Sequence, residues 1–469
     1  MLEVICHEVA HVPTSLNLPK AHVEATINSS TGNSSTGSSL ADDLYSKLVN
    51  EEDARVCKEI SEDACRETPR NFLLILISNG FTKLGDALAS PKTLLPWMAA
   101  SIAVPPWMIG LLVPIRESGS LLPQLAIAGF IRRLPVRKWV WVIGSLLQAG
   151  AVFLLVMISM TLSGAVAGYA IIASLVLFSL ARGFCSVASK DVLGKTVPKS
   201  RRGQLTGWSS SAAGLVTVSI AAVLLVLGGR GDLNEFYAQL LLVAGCLWLV
   251  AALVYSQVVE YSGETDGGGN AGREALQRLA LLKTDVDFRN FIIARALLMC
   301  SALSAPFYVL MAQERAGSAP ALLALFLLAS GAASLVSGPV WGRFADVSSR
   351  RVMAIAAALT SASGLVLVLT AWLAPSLLEP LWTIPVLYFL LSIAHSGVRV
   401  GRKTYVVDLA SGNRRTDYVA VSNTLIGVLL LVAGSVGALS AVIGVTGVVA
   451  VLSGMGALGS LLCLALREA

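Results

Sequence analysis

Charge is scarce in this 469-residue chain: Asp, Glu, Lys and Arg make up 14% of it, where soluble globular chains carry about a quarter. Apolar residues supply 55% and the mean hydropathy is +0.73. A surface wetted all round is thereby excluded, and a bilayer is the expected solvent. Cysteine is sparse too. Of the seven, Cys185, Cys246, Cys300 and Cys463 lie in apolar runs, and Cys6, Cys57 and Cys65 fall on the side expected to face a reducing cytoplasm. That excludes a disulfide scaffold. Residues 1–25 lack a basic start followed by an apolar core, so no signal peptide is expected. The net charge of +6 is dispersed over many loops instead of one patch, which argues against a nucleic-acid partner.

Apolar length is abundant. Twelve runs approach the roughly 20 residues that cross hydrocarbon as a helix: 72–90, 101–128, 139–160, 165–188, 205–227, 235–258, 291–312, 319–341, 352–374, 378–398, 418–439 and 442–466. Helices are required because a lone run can satisfy its backbone in lipid only that way. Alternate connections differ sharply in Lys and Arg. One side carries Arg132, Arg133, Arg137, Lys138, Lys190, Lys195, Lys199, Arg201, Arg202, Arg343, Arg350, Arg351, Arg402, Lys403, Arg414 and Arg415. The other carries only Lys92, Arg230 and Arg315. The positive-inside rule then predicts a multi-pass protein of the cell membrane with both termini cytoplasmic.

The basic loops also repeat. GFIRRLPVRK at Gly129–Lys138 is followed 213 residues later by GRFADVSSRR at Gly342–Arg351. The same shift aligns Arg201-Arg202 with Arg414-Arg415, Lys190 with Lys403, Ser209 with Ser422, and Arg182 with His395. Such internal duplication marks secondary transporters. The expected fold is an all-α membrane protein of 12 transmembrane helices in two pseudo-symmetric six-helix bundles. Its divisions are a tail at 1–69, a first half at 70–258, a central cytoplasmic loop at 259–288 and a second half at 289–469. Within the tail, 28–39 reads as a polar linker and 41–66 as an amphipathic stretch; 273–283 is its counterpart in the central loop. Both lead to the tripeptide Arg-Asn-Phe, at 70–72 and 289–291, and are expected to lie on the inner membrane surface.

Two sixes, a long central loop and a Gly-led basic loop after the second run of each six resemble the major facilitator superfamily across residues 70–466. Gly342, Asp346, Arg350 and Arg351 match that family's loop signature, with Ser349 where a second Gly is usual. The first copy keeps Gly129 and Arg137 but has Arg133 at the Asp position and Pro135 after it. The resemblance implies that these loops gate the cytoplasmic face, with the latching Asp confined to the second copy. Arg182-Gly183 resembles the span-four Arg that the family associates with proton coupling; the span-five Gly-Pro of many antiporters is missing from 205–227. The implied activity is secondary transport of a small solute by alternating access, coupled to protons. Such a protein is no enzyme and needs no cofactor. Its partners are the solute, the proton and the lipid bilayer. An uncoupled facilitator and a non-transporting membrane sensor or assembly factor are the alternatives.

Ionisable residues within the spans are candidate site residues, since burying one costs at least about 2.5–3.5 kcal/mol unless it faces a cavity or a partner. Lys83 and Asp86 share a face of the first span at i, i+3, and Arg116 and Glu117 stand together in the second within PIRESG. A cross-helix network of these four is expected, serving structure, coupling or both. Asp86 or Glu117 would take up the proton, and Arg116 or Lys83 would hold an anionic group or act as counter-ion. In the second half Arg295 lies in the inner third of its span, and His395 and Arg399 share a face at i, i+4. Tyr308 and Tyr388 could line the cavity, though aromatic residues in apolar helices more often pack. The mixture of signs points to a polar or zwitterionic solute.

One pattern points elsewhere. His7-Glu8-Val9-Ala10-His11 spells H-E-x-x-H, in which two histidines one turn apart bind zinc and the Glu acts as base. It sits in a tail too polar to bury a site, so coincidence is expected and no metal is assigned.

Overall fold

The computed structural model describes residues 66–468 apart from 123–126, 128, 129, 132, 228–232, 264, 266–280, 318 and 410–413. The H-E-x-x-H pattern, the linker, nearly all of the 41–66 stretch, Gly129 and most of 273–283 lie outside the described residues. Every described element is helical: α1 Thr68–Leu88, α2 Leu94–Ser101, α3 Pro106–Gly110, α4 Leu112–Leu121, α5 Lys138–Thr161, α6 Gly164–Thr196, α7 Lys199–Leu227 and α8 Leu233–Ser256. After the central segment come α9 Val286–Leu297, α10 Cys300–Leu303, α11 Ala305–Ala316, α12 Pro320–Val347, α13 Ser349–Leu373, α14 Thr383–Asp408, α15 Arg414–Gly434 and α16 Ser440–Ala465.

The breaks follow local chemistry. Pro91 lacks a backbone donor and disfavours helix at the residue before it, so α1 stops and the chain resumes as α2. Residues 94–101 thus extend the first crossing, where the sequence had placed its end at 90. Proline recurs in the first turn of α3, α11 and α12, where its missing N–H is not needed. Asp285 caps α9 by accepting from Phe288 N at 2.9 Å, and Ser348 caps α13 by accepting from Arg351 N at 3.3 Å. Gly317, at φ 70°, turns the chain out of α11 in a conformation a side chain would strain.

Eight helices among the described residues are long and apolar enough to cross a membrane. The first, α1, falls short of that set because Lys83 and Asp86 sit in it, and α7 contributes the shorter apolar stretch Ser211–Val223. Neighbour relations repeat along the chain. In residues 68–256, α1 packs on α7 and α8, α5 on α6 and α8, and α4 on α6. In 286–465, α9 packs on α15 and α16, α13 on α14 and α16, and α12 on α14. The two sets meet where α7 lies against α12 and α4 against α15, which is the exchange that a two-fold axis between the sets produces.

The core is forked. A single apolar cluster, including Trp97, Met108, Phe178, Trp248, Phe307, Phe326 and Leu452, draws residues from both sets. Towards the basic-loop face it gives way to two separate clusters, one around Phe72, Trp141, Val192 and Tyr255 and the other around Phe291, Met353, Tyr405 and Cys463. The Phe of each repeated Arg-Asn-Phe thus anchors one prong. Burial of apolar side chains stabilises each prong internally but does nothing to hold the prongs together at that face.

At the opposite face the sets are in contact. Gln313 of α11 donates to the Trp97 carbonyl at 3.1 Å, and α3 packs on the 3-10 turn Ser435–Leu439. There Gly110 and Gly437 approach so closely that a Cβ on Gly110 would sit 2.9 Å from Gly437 Cα. Since backbone cannot swing aside, Gly110→Ala should part this seal and lower the melting temperature. Gly80→Ala, whose Cβ meets nothing within 4 Å, should raise helix stability by up to about 1 kcal/mol. Thermal unfolding of the two purified variants checks the contrast; equal melting would contradict it.

Candidate functional site

Between the seal and the basic-loop face lies a cavity of about 650 Å³, whose walls come from α1, α6, α7, α12 and α14. Lys83, Asp86, Arg182, Arg399 and Lys403 line it together with hydroxyls that include Thr93, Thr217, Ser330, Ser334 and Ser337. Both sets of helices therefore contribute, and most of the ionisable candidates read from the sequence converge here or just behind it.

Asp86 is the hub. Arg116 of α4 donates to its Oδ1 at 2.9 Å and Arg182 of α6 to its Oδ2 at 2.5 Å. Each carboxylate oxygen thus faces a guanidinium, a charge-assisted pairing that ties α1 to α4 and α6. Arg116 also lies over the Phe178 ring, 4.5 Å from its centroid, a contact worth about 1–2 kcal/mol where water is sparse. Lys83, one turn before Asp86, sends its Nζ to Ser209 of α7 at 2.8 Å.

Glu117 points elsewhere, as adjacency with Arg116 dictates. Its Oε1 is 3.7 Å from Lys92 Nζ, the residue read from the sequence as an outer-loop cation. The Pro91 break turns Lys92 inward instead, where Nζ lies 2.8 Å from His395 Nε2. An ammonium can only donate, so Nε2 accepts and the ring proton sits on Nδ1. Nδ1 then donates to Ser301 Oγ at 3.1 Å, and Ser301 passes its own proton to the Leu298 carbonyl at 3.0 Å. This chain of donors ties α4 to α14 and α10 across the boundary between the sets. Tyr308 and Tyr388 are packed in the core, as expected, at 0% and 2% exposure.

The duplication seen in sequence has a structural counterpart. Ser209 and Ser422, aligned by the 213-residue shift, each receive a cation from the first long helix of their own set, Lys83 in one case and Arg295 in the other. Arg295 also donates to Asn423 Oδ1 at 2.9 Å and is 6% exposed. Arg182 and His395, likewise aligned, hold Asp86 and Lys92.

The basic loops are clasped within their own sets. Arg137 pairs with Asp191 at the end of α6. The buried Glu260 carboxylate, just beyond α8, accepts from the backbone N–H groups of Arg137 and Lys138 at 2.9 and 2.6 Å and lies 3.1 Å from Lys195. In the second copy Arg350 pairs with Glu468, just beyond α16, and donates to the Leu464 and Leu466 carbonyls at 3.1 and 3.0 Å. Ser349 reaches Asp408 at the end of α14, at 3.4 Å. Arg137 and Arg350 are thus equivalent, and so are Glu260 and Glu468. The carboxylate that the first loop lacks at Arg133 is supplied from Asp191 and Glu260, so acid partners are not confined to the second copy. Arg133 and Arg351 are exposed, and Gly342 and Asp346 lie in the last turns of α12. Sequence reading missed Lys92, Asp191, Glu260 and Glu468. A lone acid a few residues past the last apolar run of each half was the available signal. Among the described residues no group of His, Cys, Asp and Glu is placed to hold a metal.

The fold is similar to that of solved membrane transporters. A D-xylose–proton symporter superimposes with a TM-score of 0.65 at 13% identity, covering 85% of this chain and 98% of that one. A POT family transporter in complex with a thioalcohol-conjugated peptide gives 0.64 at 12%, covering 88% and 99%. In sequence, the chain is 23% identical over 387 residues to the uncharacterized protein Rv2209 of Mycobacterium tuberculosis, with 78% of this chain and 71% of that protein covered. No family model matches the sequence.

The Glu468 clasp gives a pH prediction. The Ser348 hydroxyl, then Arg350 and Arg351, hold this carboxyl below its ordinary value of 4.5. A depressed folded-state value means that the clasp is fully stabilising above pH 4.5 and is lost as pH falls below that. Carbon-13 titration of the Glu468 carboxyl should show a midpoint under 4.5 that rises in Ser348→Ala. An unchanged midpoint would remove the hydroxyl as the main cause.

Proposed function

We propose that the protein is a secondary active transporter that moves a small polar solute across the cell membrane by alternating access, with proton coupling. The forked core carries this reading. One shared apolar cluster on the sealed side and two independent prongs on the other describe two bodies that pivot about a central cavity, the arrangement expected when helix sets rock around a fixed site. In this state the cavity faces the basic loops, which the excess of Lys and Arg assigns to the cytoplasm. The intra-set clasps of Arg137 and Arg350 support rigid-body motion, since each ties a loop to its own prong.

Coupling is assigned to Asp86. Its carboxylate joins α1 to Arg116 of α4 and Arg182 of α6, so a change in its charge would act on the packing of three helices at once. The D-xylose symporter and the POT transporter that share the fold are consistent with a small-solute carrier and leave the solute of this chain undetermined.

Spin labels test the motion. In a background with native cysteines replaced, labels at Phe130 and Val347 report the basic-loop face, and labels at Leu162 and Leu377 report the other; all four positions are exposed. The first pair should show two distances whose proportions change with pH in opposition to those of the second pair, and Asp86→Asn should remove the pH response. A pH-independent mixture would favour an uncoupled facilitator. A single fixed distance for both pairs would overturn transport and leave the sensor reading.

A further inference from the structure

We propose that the cavity binds a small solute bearing two acidic groups, one held by Lys83 and Arg182 and the other by Arg399 and Lys403 on the facing wall. This deepens the transport reading and rests on it. The lining carries four cations and a single carboxylate, Asp86. That carboxylate is already neutralised by Arg116 and Arg182, so it adds no net negative charge to attract a solute ammonium. The polar or zwitterionic solute expected from mixed charges would therefore find no unpaired acid among the described lining residues.

The positive side has capacity to spare. Arg399 and Lys403 stand one turn apart on α14, exposed to the cavity, and among the described residues neither is ion-paired. Lys83 lies on the opposite wall, near enough to Arg399 for their like charges to repel, and Arg399 repels Lys403 in turn. A bridging dianion would convert this repulsion into attraction from both sides. The hydroxyl lining adds donors suited to acidic oxygens: Thr93 Oγ1 and Ser337 Oγ are buried and have no hydrogen-bond partner among the described residues. A guanidinium and an ammonium on each wall match the fork and point-charge modes by which Arg and Lys hold carboxylates and phosphates. The cavity's size suits a metabolite-sized ligand. An acidic group seated at Arg182 competes directly with Asp86, which would free an Asp86 oxygen for a proton and join solute binding to the coupling step.

Purified full-length protein in lipid nanodiscs tests this with three probes at matched ionic strength: glutarate, the phosphodiester dianion propane-1,3-diol bis(methyl phosphate) and the neutral isostere glutaramide. At least one dianion should raise the thermal midpoint where glutaramide does not, and which of the two does so identifies carboxylate or phosphate as the recognised group. Arg399→Gln and Lys403→Gln should each weaken that dianion about tenfold or more. Both side chains stand on the cavity surface, and the midpoint without probe controls for folding. Arg399→Lys should restore part of the affinity. Stabilisation by neither dianion beyond that of chloride, or stabilisation that survives in the double variant, would overturn the proposal. Proteoliposome flux separates the two layers: a dianion that binds but is not carried leaves the site standing and removes transport. A neutral solute that is carried while dianions fail to bind does the reverse.

Discussion

The structure depends on keeping charge out of lipid. Lys83, Lys92, Arg116, Glu117, Arg182 and His395 all lie within the bundle; the Asp86 carboxylate holds Arg116 and Arg182, and that of Glu117 holds Lys92. Asp86 satisfies two guanidiniums from two other helices at once, which fixes α1, α4 and α6 relative to one another. Removing it would leave both guanidiniums without their carboxylate, the situation in which breaking a buried pair costs several kcal/mol. The same contact is reversible in a wet cavity, because water or a solute acid can replace either partner.

Apolar burial sets where motion is possible. The shared cluster on the sealed side gives a continuous contact between the two helix sets, and the glycine pair at 110 and 437 lets backbones meet there. Below it, each prong has its own core and its own clasp, with Glu260 and Glu468 occupying equivalent positions. The Lys92–Glu117–His395 chain crosses from one helix set to the other.

Much of this was legible in the sequence. Apolar length announced the helices, and the 213-residue shift announced the duplication down to Ser209 and Ser422, which proved to be equivalent receivers of a cation. Asp86 and Arg116 were placed together from in-span charge alone. The misreadings have physical causes. Lys92 follows Pro91 near the end of an apolar run, so it read as a loop residue, and only the renewed helix at 94–101 shows that it lies inside. Asp191 and Glu260 lie 54 and 123 residues from Arg137, and Glu468 lies 120 from Ser348, so a place past the last apolar run can mark Glu260 and Glu468 but no local pattern names the loop that each acid serves. That Asp86 is shared by two arginines from different helices is visible only in the fold.

Access to the cavity from each side of the membrane tests the central claim most directly. Ser334 lines the cavity and is exposed to it. A lone cysteine placed there, in protein reconstituted with known orientation, can be challenged with a membrane-impermeant thiol reagent applied to one face at a time. Alternating access predicts modification from both faces, with protection at one face accompanied by faster reaction at the other when pH is changed. Modification from the basic-loop face alone, at every pH and with every solute, would contradict it.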